Sequence, residues 1–432
     1  MDEMAFQDMK HIAADKLDLA ALLRRGETVV VPQGTAEPLA LTEALVAQRH
    51  AIGGLRVFLG AVFSQTFAAG CTDAIGFSGY GAIGGAAPLA RAGRLDPVPA
   101  QYSRLPGMFA DGTLPADVVL LQLAPGRDGG PPCIALSHDY IAAAARRARL
   151  VIAELNPAAP WSFGAELPAD LRIDVLVEAA HPPVELAPAR IGEAERRIAA
   201  LVAGRVPDGA VLETGIGAVP DAILSALSGH RDLGIHSGMI GDRFAELIGS
   251  GVVTNALKPF DAGVTVAGSL FGSAKLFAFA DRNTSIRLSP PAVTHGIGVM
   301  ARIPGFTAIN SAIEVDLSGQ VNGEVAGDAY VGAVGGQVDF VRGALAAEGG
   351  RSVIALPSTA KGGAVSRIVA DLAGRPVTCL RSDADLVVTE WGIAELRGRG
   401  LAERARRMIA IADPAYREDL ERAAHAVIRA GD

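Results

Sequence analysis

The chain has 432 residues, 50% of them hydrophobic and only 5% aromatic, with 51 glycines and a formal net charge of −8 at pH 7. That length suffices for two domains with full cores, and the composition excludes a disordered or fibrous chain. The acidic balance excludes a general pull toward nucleic acid or an anionic membrane, and no apolar run approaches the roughly 18 residues of a membrane span.

Three cysteines, Cys71, Cys133 and Cys379, stand far apart without metal-type spacing. This favours a reducing compartment over a disulfide framework. Met1-Asp2-Glu3-Met4 lacks the basic and apolar regions of a signal peptide, so the expected location is the cytoplasm.

In chain order, leucines 19, 22 and 23 at helical spacing predict a helix over 13–25. Thr28 to Pro32 reads as a buried strand, 33–38 as its loop and Leu39 to Arg49 as a helix, the opening of a parallel α/β unit. Leu55 to Phe63 reads as the next strand. Gly79 to Gly84 matches G-x-G-x-x-G, but the broken stretch 70–78 before it is not a clean strand. The fingerprint needs one, so a loop beside the cleft is favoured over a dinucleotide site and an oxidoreductase.

Asp117 to Leu123 is a strong buried strand, with a Gly/Pro loop at 125–132, a helix from Asp139 to Arg147 and a strand from Leu150 to Asn156. Pro182, Pro183 and Pro188 mark 176–188 as an extended linker. The expected domains are therefore 1–188 and 189–432. Both halves run strand, glycine loop, helix, which suggests a duplication.

The second half opens with a helix over 191–202. Ala210 to Leu212 then reads as a buried strand running into Gly215-Ile216-Gly217 and a helix at 221–227. Such a turn lets a ligand approach the backbone and presents N–H groups at a helix start, an anion or oxyanion site. A short strand around Leu233 to Ile235 leads to His236-Ser237-Gly238. Strands are also expected at 264–272, 285–288 and 307–315, and terminal helices over 401–430, broken at Asp413-Pro414.

Several strings carry a family resemblance. They are the Gly215–Gly217 loop, 151–156, Ile309 to Asn322, Gly335 to Phe340, Ala355 to Gly363 and Thr389 to Gly398. With them the chain resembles the family I coenzyme A transferases, in the acetyl-CoA hydrolase/4-hydroxybutyrate CoA-transferase branch. The resemblance implies two similar α/β domains with mainly parallel sheets and an active site in the cleft between them. It implies acyl-CoA and small carboxylic acids as partners, a homo-oligomer of two or more chains, and no metal or permanently bound cofactor. In that family a glutamate following the Gly-Ile-Gly loop attacks acyl-CoA and carries CoA as a glutamyl thioester. Where relatives read like His-Thr-Glu-Met, this chain has His236-Ser237-Gly238-Met239, so the family glutamate falls on Gly238.

By the same resemblance, Gly215 and Gly217 are the oxyanion candidates, and Gly335, Gly336 and Gln337 lie against the pantetheine of CoA. The plain structural reading of both loops is a tight turn. Glu213 is the substitute carboxylate, as nucleophile or as base on water, provided strand alternation turns it toward the site. His236 and His295, the latter where relatives tend to carry asparagine, are candidate bases, and a His–Glu pair would suit activation of water. Lone histidines are more often core or turn residues. Glu314 and Asp316 read as structural. The expected function is acyl-CoA:carboxylate CoA transfer with Gly238 in the glutamate's place. The alternatives are acyl-CoA hydrolysis through Glu213 or a histidine, and a CoA-binding protein without catalysis.

Overall fold

The computed structural model describes residues 9–126 and 130–429. Met1–Met4, the middle of the 125–132 loop and residue 430 therefore lie outside the described residues. The first half contributes strands β1 (Lys10–Ala13), β2 (Thr28–Val30), β3 (Leu55–Leu59), β4 (Ile75–Gly79), β5 (Leu95–Pro97), β6 (Val118–Ala124), β7 (Cys133–Ile134), β8 (Leu150–Leu155) and β9 (Val175–Glu178). They form one sheet in the order β1-β9-β8-β6-β2-β3-β4-β5, with β7 antiparallel on β6 and the other pairs parallel. All seven residues of β6 are buried. Continuous burial is what a parallel strand covered on both faces requires. Alternate residues feed opposite cores: Val29, Val118, Leu120 and Ile152 enter one cluster, and Val30, Val119, Leu121 and Val151 the other.

The second half begins with β10 (Val211–Thr214), β11 (Gly234–Ile240), β12 (Thr265–Leu270), β13 (Ile286–Leu288) and β14 (Thr307–Asn310). Short strands β15 (Glu314–Asp316), β16 (Val321–Asn322), β17 (Val325–Ala326) and β18 (Ala329–Tyr330) follow. Next come β19 (Arg351–Ala355), the short β20 (Thr359–Ala360), β21 (Val365–Ser366) and β22 (Ile368–Val369), and finally β23 (Leu386–Thr389) and β24 (Gly392–Glu395). The main sheet runs β13-β12-β11-β10-β14-β19-β23-β24. The duplication is plain in this order. From β2, the strands β3, β4 and β5 step one way and β6, β8 and β9 the other. From β10, the strands β11, β12 and β13 step one way and β14, β19 and β23 the other. Apart from the short β7 on β6, the edges differ: β1 lies parallel on β9, whereas β24 turns back antiparallel on β23.

Four sequence expectations change. The helix over 13–25 is instead β1, a 3-10 turn and a single helical turn, Leu19–Leu22, capped by the Asp18 carboxylate. Burial of Leu19 and Leu23 in the first core, not a continuous helix, explains the leucine spacing. Val175–Glu178 joins the first sheet, so the linker starts at Ala179. A strand, β4, does precede Gly79-x-Gly81-x-x-Gly84. Yet those glycines serve close protein packing: a Cβ on Gly81 would stand 2.3 Å from the Ala333 Cβ, and one on Gly84 2.1 Å from the Val62 oxygen. His236 and Gly238 lie inside β11, not beyond its end. Among the described residues no helix is long and apolar enough to cross a membrane, and no group of three or more His, Cys, Asp or Glu could hold a metal ion.

The linker is pinned to both halves. Leu186 N–H donates to the Gly272 carbonyl at 2.9 Å. His181 faces two acceptors, Nε2 the buried Glu154 carboxylate at 2.7 Å and Nδ1 the Pro182 carbonyl at 3.0 Å. Only imidazolium can donate to both, and the Glu154 bond pushes the His181 pKa up to about 8. A histidine raised on folding adds stability that is complete below its unfolded pKa of roughly 6.5 and lost as pH rises through 8. His181→Gln should therefore lower stability by about 2 kcal/mol at pH 6 and by little at pH 9, at about 1.4 kcal/mol per pKa unit. Denaturant titrations at the two pH values check this; an equal loss at both would remove the ion pair as its cause.

Candidate active site at the end of β10 and β11

Parallel pairing sets Val211 beside Gly234 and Leu212 beside Ile235. Continued along the strands, this register sets Glu213 level with His236 and Gly215 level with Gly238. Alternation then sorts the faces. Leu212 enters the core of Ile198 and Ile223, whereas Val211 enters the one formed by Met300, Phe306 and Phe340. Glu213, two residues on, shares Val211's face, and so do His236 and Gly238.

Glu213 is 3% exposed, and Asn310 Nδ2 on β14 donates to its Oε2 at 2.9 Å. Burial pushes its pKa up to about 8, against the opposing pull of the Asn310 bond, so the carboxyl is mostly protonated at neutral pH. Because β10 lies between β11 and β14, the Asn310 bond turns the carboxyl away from Gly238. No hydrogen bond joins Glu213 to either candidate histidine among the described residues.

His236 is wholly buried. Its Nε2 meets the Val293 carbonyl at 3.1 Å, and its Nδ1 has no hydrogen-bond partner among the described residues. Burial, then nearby Lys258, depresses its pKa to about 4. It is neutral, and its geometry is that of a core histidine.

His295 follows the helical turn Pro291–Thr294 rather than a strand. Its ring stands between the backbones of Gly238 and Gly336. A Cβ on Gly238 would lie 2.8 Å from His295 Nε2, and one on Gly336 2.7 Å from the same atom. The Tyr102 ring, from the first half, lies 4.7 Å away and the Phe340 ring 4.5 Å away, centroid to centroid. Burial, then His236, depresses the His295 pKa to about 3. Thr294 Oγ1 sits 2.8 Å from Nδ1 and donates to the Pro290 carbonyl at 3.4 Å. The Thr294–Nδ1 bond fits either tautomer; in the one with its hydrogen on Nδ1, Thr294 accepts and the lone pair lies on Nε2, an atom with no hydrogen-bond partner among the described residues.

The two glycine loops differ in their surroundings. A Cβ on Gly215 or Gly217 would meet nothing within 4 Å, and Gly217, at φ +116°, precedes the helix Ala218–Ala226. That backbone is open to a ligand. Gly335 instead accepts from Tyr102 N–H at 2.9 Å, Gly336 must stay bare beside His295, and Gln337 Nε2 donates to the Ser311 carbonyl at 2.9 Å. Glu314 pairs with Arg375 at 2.9 Å, and Asp316 accepts from Ser318 and Gln320 within its own turn, so both carboxylates build structure.

Sequence reasoning missed Asn310, Thr294, Tyr102 and Phe340 as parts of this site. Asn310 could have been found from the parallel pairing of its strand with β10. Tyr102 carries no local signal, because only the meeting of the two halves brings it there.

The acetyl-CoA hydrolase/transferase C-terminal domain family matches residues 272–424. The 4-hydroxybutyrate coenzyme A transferase of Clostridium kluyveri is 37% identical over 410 residues, 91% of this chain and 92% of that one. The chain belongs to the acetyl-CoA hydrolase/transferase family. Its relatives carry both activities in their names: an acetyl-CoA hydrolase of Eremothecium gossypii is 30% identical over 51% of this chain and 43% of that one. Among solved structures, RipA from Yersinia pestis superposes with a TM-score of 0.91 at 30% identity, covering 99% of both chains. The protein is an enzyme of this family's kind, with the family's mixed α/β fold.

Proposed function

We propose that the enzyme hydrolyses acyl-CoA thioesters of small organic acids, with His295 as general base and the Gly215–Gly217 backbone as oxyanion site. The proposal includes the correspondence of Gly238 with the family glutamate. One observation carries it: the space a side chain at 238 would enter is filled by the His295 ring, with Nε2 2.8 Å from that Cβ position. A carboxylate that would hold CoA as a thioester has no room there, and a neutral imidazole stands in its stead, its Nε2 free to take a proton in the tautomer with hydrogen on Nδ1. A water oxygen attacks the thioester carbonyl carbon and its proton passes to Nε2. The C–S bond then breaks, and the departing thiolate takes that proton, giving free acid and CoA. A pKa of about 3 makes His295 a base of carboxylate strength, unprotonated throughout the neutral range. In this reading His236 is structural, residues 335–337 line the CoA chain, and the domains divide near 188.

CoA transfer through Glu213 is the second reading, favoured by the burial of that carboxyl on the site face. The two differ in pH dependence. A His295 base is complete above about pH 4, so kcat/KM should stay flat from pH 5 to 9. A Glu213 carboxylate is the minor form below its pKa of about 8, so kcat/KM should rise about tenfold per unit up to there and vanish in Glu213→Gln. The deciding assay incubates short acyl-CoAs with and without added carboxylic acids and separates the products. Free CoA regardless of acid supports hydrolysis. New acyl-CoA that appears only with acid sinks it in favour of transfer. Neither product, with CoA still bound, leaves a CoA-binding protein without catalysis.

A further inference from the structure

The helix Gln337–Ala346 carries Phe340, and Gly335–Gly336 lead into it. This is the wall behind His295, and one segment of the first half, 101–104, is strapped across it. Gln101 bridges to Gly335, and Tyr102 N–H donates to the Gly335 carbonyl at 2.9 Å. Ser103 makes two bonds to the Asp339 carboxylate: its N–H to Oδ2 at 3.1 Å and its hydroxyl to Oδ1 at 2.7 Å. Asp339 is 1% exposed and sits in the first turn of its helix, where a negative charge meets the positive end of the helix dipole. Burial still raises its pKa, and the Ser103 bonds pull it back. Gln33 Nε2 donates to the Tyr102 hydroxyl at 2.6 Å and fixes the far end of that ring.

We propose that Ser103 and Asp339 form a clamp that positions Tyr102 and Gly336 against His295, and so sets the direction of Nε2. Ser103 is a positioning residue: its bonds end on Asp339, and its effect reaches the reaction only through the ring stack. The proposal rests on the assignment of His295 as base. A displacement of about 1 Å at a catalytic group can cost up to about 100-fold in rate. Loss of the Ser103 hydroxyl removes one of the three hydrogen bonds that Tyr102 and Ser103 make to this wall, so a smaller effect is expected.

Ser103→Ala should lower kcat for a short acyl-CoA by about tenfold, with KM within about twofold, and Ser103→Thr, which keeps the hydroxyl, should restore it. A purely structural role would move stability but would not give this split. A second readout needs no turnover. In a ¹H–¹³C spectrum of the histidine rings, the His295 Cε1–H signal, assigned by its loss in His295→Asn, is shifted by the Tyr102 and Phe340 rings. It should move in Ser103→Ala and return in Ser103→Thr. A signal that stays in place in Ser103→Ala, or unchanged kcat beside a shifted signal, overturns the clamp. A shifted signal in a protein whose wild type turns over no acyl-CoA keeps the geometry and removes the catalytic reading instead.

Discussion

His295→Asn should reduce kcat/KM for short acyl-CoA hydrolysis by about 100- to 10,000-fold, the range for loss of a positioned general base. CoA affinity should stay within about twofold, because the proposed CoA contacts are made by residues 335–337 and not by the imidazole. Asparagine is the better probe than alanine. Alanine would leave the larger cavity between Tyr102 and Phe340 and cost more stability for reasons unrelated to chemistry. The rate loss should be the same from pH 5 to 9, since the imidazole is unprotonated throughout. Steady-state kinetics with calorimetric CoA titration measures both quantities. A variant with wild-type kcat/KM would exclude His295 from the chemistry and move attention to Glu213.

Much of this architecture is legible in the sequence because its signals are local. The buried run at 118–123 and the β-branched run at 28–31 name their own strands. The Gly215–Gly217 loop and the glycine at 238 are also visible without coordinates. What is not visible arises from contacts across long sequence separations. Leu19 and Leu23 look helical by spacing, yet their positions are set by the core under β2 and β3. The Gly79–Gly84 string looks like a phosphate loop, while its glycines answer to Ala333 and Val62. Glycine at 238 reads as a missing nucleophile. Only the fold shows that residue 295, 57 positions later, fills the gap, and that a residue from the other half stacks against it. Bare backbone at 238 and 336 and an imidazole at 295 are thus one packing solution, in which a side chain at either glycine would displace the ring.

That coupling makes a sharp forecast for the reverse substitution. Gly238→Glu alone should not produce a transferase. Its Cβ would stand 2.8 and 2.9 Å from the His295 ring and 3.2 Å from Phe340, and neither ring sits at the end of a flexible chain. Overpacking of this kind costs about 1–3 kcal/mol, so the single variant should be destabilised and should also lose hydrolysis as the ring is displaced. Gly238→Glu combined with His295→Asn takes away the ring that a Cβ at 238 would meet. The double variant should recover stability relative to Gly238→Glu and form new acyl-CoA when a short carboxylic acid is supplied. A CoA adduct on residue 238 should be detectable by mass spectrometry, because the carboxylate can now carry CoA between two acids. The double-mutant cycle is the measurement: melting temperatures of the four proteins give the coupling between positions 238 and 295, expected to be favourable and well above the few tenths of a kcal/mol seen for independent sites. Additive melting temperatures would mean that His295 does not occupy the space of a residue-238 side chain, and the hydrolytic proposal would fall with it. Strong coupling without any new acyl-CoA would keep the packing argument and place the family glutamate at another position of the chain.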